Sequence, residues 1–345
     1  MIPAKRNLGL DLIRFIAIYF VLIDHGGLNP FGKVLLGGLG VEIFFVLSGF
    51  LIGRIIIREF RNYQGVSTFR KFWVNRWFRT IPLYYLALGV QVISSGKLEV
   101  EYLYYLVFLQ NNFYGITLFP VSWSLVIEEW FYLGLPFILL TIIYFFKSIR
   151  VQYLVYAVIL LIIIKSLFIG FFNTPFAGVN GNILLRYDSM LIGVILALVF
   201  IDHSNIYQRL SHVRYFVFGV GATIILQFVV HSVVGLESFD DYAVFKVTYF
   251  LFQSILIAFT IPFFQTSRFI NQRLTRIKGL APFIVWTSIL SYSFYLFHTN
   301  IIHFVQGFNL GSYTFLISLV VLYPMSFVIY HIYEKPLTNL RAKFN

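Results

Sequence analysis

The sequence contains no cysteine, which excludes disulfide scaffolds and thiolate metal centres. Acidic residues are scarce, with 14 Asp and Glu against 26 Lys and Arg, so the formal charge is +12. Charged residues of both signs make up only 12% of the chain, half the share usual in a soluble domain. No tract of low complexity, internal repeat or Pro-rich linker divides the chain. No small-residue cleavage pattern follows the first apolar segment, so no cleavable leader is expected. What fills the chain instead is apolar: 59% hydrophobic residues, 20% aromatic, and a mean hydropathy of +0.83. This composition predicts an all-α, polytopic membrane helical bundle rather than a globular domain.

The apolar runs predict about ten transmembrane helices, at 8–28, 34–57, 77–95, 121–146, 151–172, 183–201, 213–235, 245–266, 283–306 and 313–333. With the N-terminus inside, nearly all loop Lys and Arg, from Lys5 and Arg6 to Arg341 and Lys343, fall on the cytoplasmic side. Only Lys33 and Lys97 fall outside, so both termini are expected in the cytoplasm. The net positive charge is therefore membrane anchoring, and no nucleic acid partner is expected. Residues 101–114 are apolar but too short to span, and read as an interfacial or re-entrant piece on the outer side.

Ionisable residues inside hydrocarbon are costly unless they pair or line a wet cavity, so each is a functional candidate. The first segment, LDLIRFIAIYFVLIDH, carries Asp11 and Arg14 three residues apart. His25 lies eleven residues beyond Arg14, on the same helix face and about 16 Å further along. The ten-span scheme puts His25, Glu42, Glu128, Arg186, Asp188 and His298 in an outer layer, with Asp11 and Arg14 in the inner half. A His near a Glu is a common general-base pair, and Glu128 is the expected partner of His25. The competing readings are an Asp11–Arg14 structural ion pair and, for His25, His298 and His303, simple hydrogen bonding to a backbone carbonyl. Arg76 and Arg79 sit at i and i+3, where two guanidiniums can grip phosphates, although positive-inside anchoring also explains them. Pro82 is expected to bend or break its helix. Gly49 and Gly53 have the spacing of a close helix contact, and Ser48 reads as a packing serine rather than a nucleophile.

Seven strings in order resemble the acyltransferase 3 family of integral membrane acyltransferases. They are LDLIRFIAIYFVLIDH, GVEIFFVLSGFLIG, NRWFRTIPLYY, WSLVIEEWFY, RYDSMLIGVILA, SYSFYLFH and YEKP, and together they cover the chain. The resemblance implies a membrane-bound O-acyltransferase of the bacterial cytoplasmic membrane. It would move an acyl group, usually acetyl from cytoplasmic acetyl-CoA, to a hydroxyl of an extracytoplasmic carbohydrate. It implies that Asp11, Arg14 and His25 form the catalytic first-helix motif, that Arg76 and Arg79 engage the CoA phosphates, and that Glu128 is the family glutamate. Glu42, Arg186, Asp188 and His298 are the expected acceptor-side residues, and no metal is expected. His25 would act as general base, with Arg14 or another donor at the oxyanion, or would itself be acylated first. Val126 and Trp130 stand where the family often has a small residue and a Gln, which predicts a reshaped pocket. Many relatives carry a soluble hydrolase-like domain after the last span. With the sequence ending at Asn345, one membrane domain over 1–345 is expected. The rival readings from the residues alone are a proton-coupled transporter or flippase of a polysaccharide precursor, and a structural subunit of an export complex. Buried His, Asp and Glu also build proton relays, but no repeated halves with paired broken helices are visible.

Overall fold

The computed structural model describes residues 6–29, 36–63, 65–113, 115–230 and 240–344. Lys5, Lys33, Tyr114, residues 34–35 of the second expected span and 231–235 of the seventh lie outside them. Among the described residues there is no strand. Ten helices reach 15 residues or more: α1 (Leu8–His25), α2 (Leu36–Arg61), α3 (Val66–Ser95), α4 (Trp123–Phe146), α5 (Val151–Phe172), α6 (Asp188–Asp202), α7 (Val213–Val229), α8 (Ala243–Ala258), α9 (Leu280–Gln306) and α10 (Thr314–Ile329). Six of them, taken with adjoining short helices, are long and apolar enough to cross a membrane: α2, α4, α5, α8, α9 and α10. The chain is therefore an integral membrane protein. Of the remaining four, α1 carries Asp11, Arg14 and Asp24 within 18 residues, and α3 begins in the basic string FRKFWVNRWFR. Helix α6 continues past a 119° bend into Ser204–Leu210, and α7 is short.

Local chemistry sets the helix ends that matter. The Asn7 side chain accepts from the Leu10 amide and caps α1. Its amide also donates to the Gln265 carbonyl at 2.8 Å. Gly26 returns its amide to the Leu22 carbonyl, and Gly27 takes φ +69°, so α1 stops with His25 in its last turn. Helices α2 and α9 flank α1, and α2 also packs along α6. There the small residues expected from the sequence do their work. A Cβ on Gly49 would overlap the Met190 carbonyl, and one on Gly193 would overlap the Val46 carbonyl.

Three prolines, Pro82, Pro136 and Pro324, lie inside helices without breaking them, and for the first two a donor from another element answers the freed carbonyl. Pro82 neither ends nor divides α3, contrary to the local rule, because the carbonyl it frees four residues back is answered from outside. The Thr338 hydroxyl donates to that Phe78 carbonyl at 3.4 Å, and the Tyr333 hydroxyl donates to the Pro82 carbonyl at 3.2 Å. Pro136 in α4 frees the Tyr132 carbonyl, which accepts from the Trp73 indole at 3.1 Å. In a medium without water, such outside donors are what make an internal proline tolerable.

The segment expected to be re-entrant folds into helical pieces of three or four residues, too short to span. It is pinned by the bundle. Gln110, fully buried, donates to Ser122, and Asn111 donates to the carbonyls of Trp123 and Gly181, both at 2.9 Å. The Trp130 indole donates to the Phe108 carbonyl at 2.7 Å. Trp130 is thus an anchor for this segment and, with fully buried Val126, does not line the cavity described next.

Candidate active site

A cavity of about 720 Å³ opens between α1, α2, α3, α4 and α9. Six arginines line it (Arg6, Arg14, Arg54, Arg58, Arg76 and Arg79) against four carboxylates (Asp11, Glu59, Glu128 and Glu334). Ser124 and Tyr295 also line it, their hydroxyls 2.6 Å apart, with the Tyr295 hydroxyl donating to the Val121 carbonyl.

The carboxylates select which arginines stay free. Asp11 does not pair with Arg14. Arg6, five residues back in the segment before the helix, grips Asp11 with two nitrogens, and the Ser288 hydroxyl donates to it at 2.6 Å. Arg14 is left facing the cavity with no hydrogen bond or ion pair among the described residues. Glu128 does not meet His25. It accepts from Arg76 at 2.8 Å and from the Ser48 hydroxyl at 2.8 Å, and Tyr132 closes the cluster against Glu128, Ser48 and Arg76. The Arg76 guanidinium also lies 4.0 Å over the Tyr132 ring. Arg79, one turn on, is exposed to the cavity and unpaired among the described residues. The two expected phosphate-binding arginines therefore differ, Arg76 being held in place and Arg79 available.

His25 does not line the cavity. Its ring meets that of His298 edge to face, with centroids 4.8 Å apart. His25 Nδ1 is 2.9 Å from the Val21 carbonyl, and His298 Nδ1 is 2.8 Å from the Tyr295 carbonyl. A carbonyl can only accept, so Nδ1 carries a proton in both rings. The backbone thus fixes the tautomer, the role the sequence reading gave to Glu128. His298 is fully buried, and its Nε2 has no hydrogen-bond partner among the described residues. The Tyr295 ring is 6.0 Å from that of His298, so one helical turn links the histidines to the cavity lining at Tyr295.

Glu42, Arg186 and Asp188 form a separate assembly. Arg186 pairs with Glu42 and with Asp188, at 3.0 Å for the latter, and Lys165 from α5 reaches Asp188 at 2.7 Å. Ser189 donates to Glu42 at 2.7 Å. Two cations and two carboxylates close on one another, all four side chains at most 3% exposed. None lines the cavity. The expected outer layer is therefore three assemblies: the histidine pair, this network, and Glu128 among the arginines.

Several members were not anticipated from the sequence. Lys165 had a signal, a lone lysine in the run ILLIIIKSLFIG, which in a membrane helix demands a counter-ion. Ser48, Ser124, Ser288, Tyr132 and Tyr295 had none, because a hydroxyl in an apolar helix usually bonds to its own backbone. Among the described residues no group of three His, Asp or Glu could hold a metal.

The acyltransferase domain family model matches residues 7–332. A Staphylococcus aureus (strain COL) protein provisionally named an O-acetyltransferase is 26% identical over 327 residues, covering 87% of this chain and 51% of that protein. The O-acetyltransferase OatA of Staphylococcus aureus (strain NCTC 8325) is 25% identical over 356 aligned residues, covering 95% of this chain and 57% of OatA. The chain thus spans about half the length of these curated relatives. No solved structure matches. With a family match running from the cap of α1 to the turn after α10, the chain belongs to the acyltransferase 3 family.

Proposed function

We propose that the protein is an O-acetyltransferase that moves acetyl from cytoplasmic acetyl-CoA to a hydroxyl of an extracytoplasmic carbohydrate. It would sit in a bacterial cytoplasmic membrane with ten spans and both termini inside. The observation that carries this reading is a match of lengths. The pantetheine arm of CoA runs about thirteen bonds from sulfur to the first phosphorus, roughly 15 Å when extended at ~3.6 Å per three bonds. Arg14 and His25 are eleven residues apart on one straight helix, about 16 Å at ~1.5 Å per residue. A diphosphate held by Arg14 and Arg79, with Arg76 behind them, would set the thioester beside the histidines.

His25 Nε2 takes the proton of the acceptor hydroxyl. The oxygen attacks the thioester carbonyl carbon, the carbon–sulfur bond breaks, and the imidazolium returns its proton to the leaving thiolate. Arg14 belongs with the phosphates in this arrangement. The hydroxyls of Ser124 and Tyr295, next to the histidines, are the donors for the developing oxyanion. The names of the relatives support acetyl as the group moved.

The test compares envelope and secreted glycans by mass spectrometry from cells with the wild-type protein, His25→Ala, or neither. One added acetyl mass seen only with wild type identifies donor and acceptor together. Identical glycans in all three strains, alongside no CoA release from acetyl-CoA by the purified protein, would overturn the reading.

A further inference from the structure

The cavity continues past Arg14, following α2 as far as Glu59. Helices α1 and α2 run antiparallel, for a Cβ on Gly37 would meet Asp24 and one on Gly40 would meet Val21. Gly37 to Ser48 is eleven residues, about 16 Å, so Ser48 stands near the level of Arg14. Arg54 and Arg58 lie six and ten residues further, about 9 and 15 Å beyond, and at i and i+4 they share a helix face. Two neighbouring cations have carboxylate partners: Arg61 pairs with Asp202 at 2.5 Å and Lys71 with Glu59 at 3.6 Å. Arg54 and Arg58 have no carboxylate partner among the described residues. Arg54 is steadied instead by rings, its guanidinium 4.4 Å over Phe200 and 5.5 Å over Phe50, which leaves its nitrogens free for an anion.

We propose that Arg54 and Arg58 form a subsite for the 3′-phosphate of coenzyme A, so that the protein selects CoA thioesters over thioesters carried on a bare phosphopantetheine arm. The inference rests on the acyl-CoA reading above. The 3′-phosphorus is six bonds from the nearest phosphorus of the diphosphate, about 7 Å when extended. With the diphosphate at Arg14 and Arg79, the 3′-phosphate falls within side-chain reach of Arg54, and Arg58 closes on it from the exposed side. A phosphopantetheine arm on a carrier protein has neither the adenosine nor this phosphate, and leaves both arginines unanswered.

The test measures binding of CoA and of 3′-dephospho-CoA to the purified full chain in nanodiscs, by calorimetry, as a ratio within each variant. Wild type is expected to prefer CoA by about tenfold to a hundredfold, the worth of one or two charge-assisted hydrogen bonds. Arg58→Gln, on an exposed side chain, and Arg54→Gln should each bring that ratio towards one, and Arg58→Lys should retain most of it. A ratio near one in wild type, or a preference that survives both glutamine variants, overturns the subsite while leaving the acyl-CoA reading standing. Failure of wild type to bind either nucleotide overturns the acyl-CoA reading and this inference with it. Because both ligands report on the same folded fraction, a poorly folded variant loses affinity for both and leaves its ratio unchanged.

Discussion

Helix α2 contributes to two ionic assemblies built from the same kinds of side chain, and they differ in stoichiometry. Around Glu42, two cations meet two carboxylates and a serine, and every charge is answered from within. Around Ser48, six arginines meet four carboxylates, and four of the arginines, Arg14, Arg54, Arg58 and Arg79, have no ion pair among the described residues. Charge in a low-dielectric interior is tolerable when paired, and an unpaired excess is stable only where water or a ligand enters. The closed set therefore reads as a brace between α2, α5 and α6. The open set reads as a receptor for a polyanion.

Substitutions can break or sharpen this contrast. The largest effect is expected where the open cavity meets chemistry. His25→Ala should lower acetyl transfer by roughly a hundredfold to ten-thousandfold with an unchanged unfolding midpoint, and full turnover in a coupled CoA-release assay would remove His25 from the reaction. Next comes the brace. Arg186→Ala strands Glu42 and Asp188, and should cost about 3–5 kcal/mol in detergent unfolding. A variant of unchanged stability would mean that the network is not structural. Arg79→Ala should do the reverse, shifting stability by less than about 0.5 kcal/mol while weakening CoA binding about tenfold or more. Equal losses in both quantities would erase the distinction between the two sets. The smallest effect is expected at Glu128→Gln, which loosens Arg76 but leaves the histidines untouched. The KM for acetyl-CoA should move by roughly threefold to tenfold with the shape of the pH–rate profile preserved. A displaced profile would restore Glu128 as the partner of His25.

The apolar runs made the helices legible, and the span expected at 151–172 coincides with α5. The spacing of Arg14 and His25 was legible too, because a helix turns every 3.6 residues whatever surrounds it. What periodicity could not give was the choice of partner. Asp11 has a neighbour on its own helix in Arg14, yet pairs with Arg6 from the segment before the helix and with Ser288 from α9. Glu128 is expected in the outer layer beside His25, yet it meets Arg76 and Ser48, near the level of Arg14, because position along α4 says nothing of which face meets which helix. Pro82 leaves α3 unbroken for a related reason. The rule that a proline breaks a helix assumes that the freed carbonyl stays unanswered, and Thr338, more than two hundred and fifty residues away in sequence, answers it.

That answer depends on the five-residue π-helical turn, Tyr330–Glu334, between α10 and the short helix Lys335–Leu340. Such a turn accommodates one residue more than an α-turn. It sets the phase of everything after it, and three contacts read that phase: Tyr333 on the Pro82 carbonyl, Thr338 on the Phe78 carbonyl, and Glu334 in the cavity wall. Loss or gain of a single residue at this point would rotate the tail by about 100° and carry all three away together. The tail is a stretch whose spelling can drift but whose length cannot. Among homologous chains, variation here is expected as exchanges of one residue for another, with gaps confined to positions beyond Thr338.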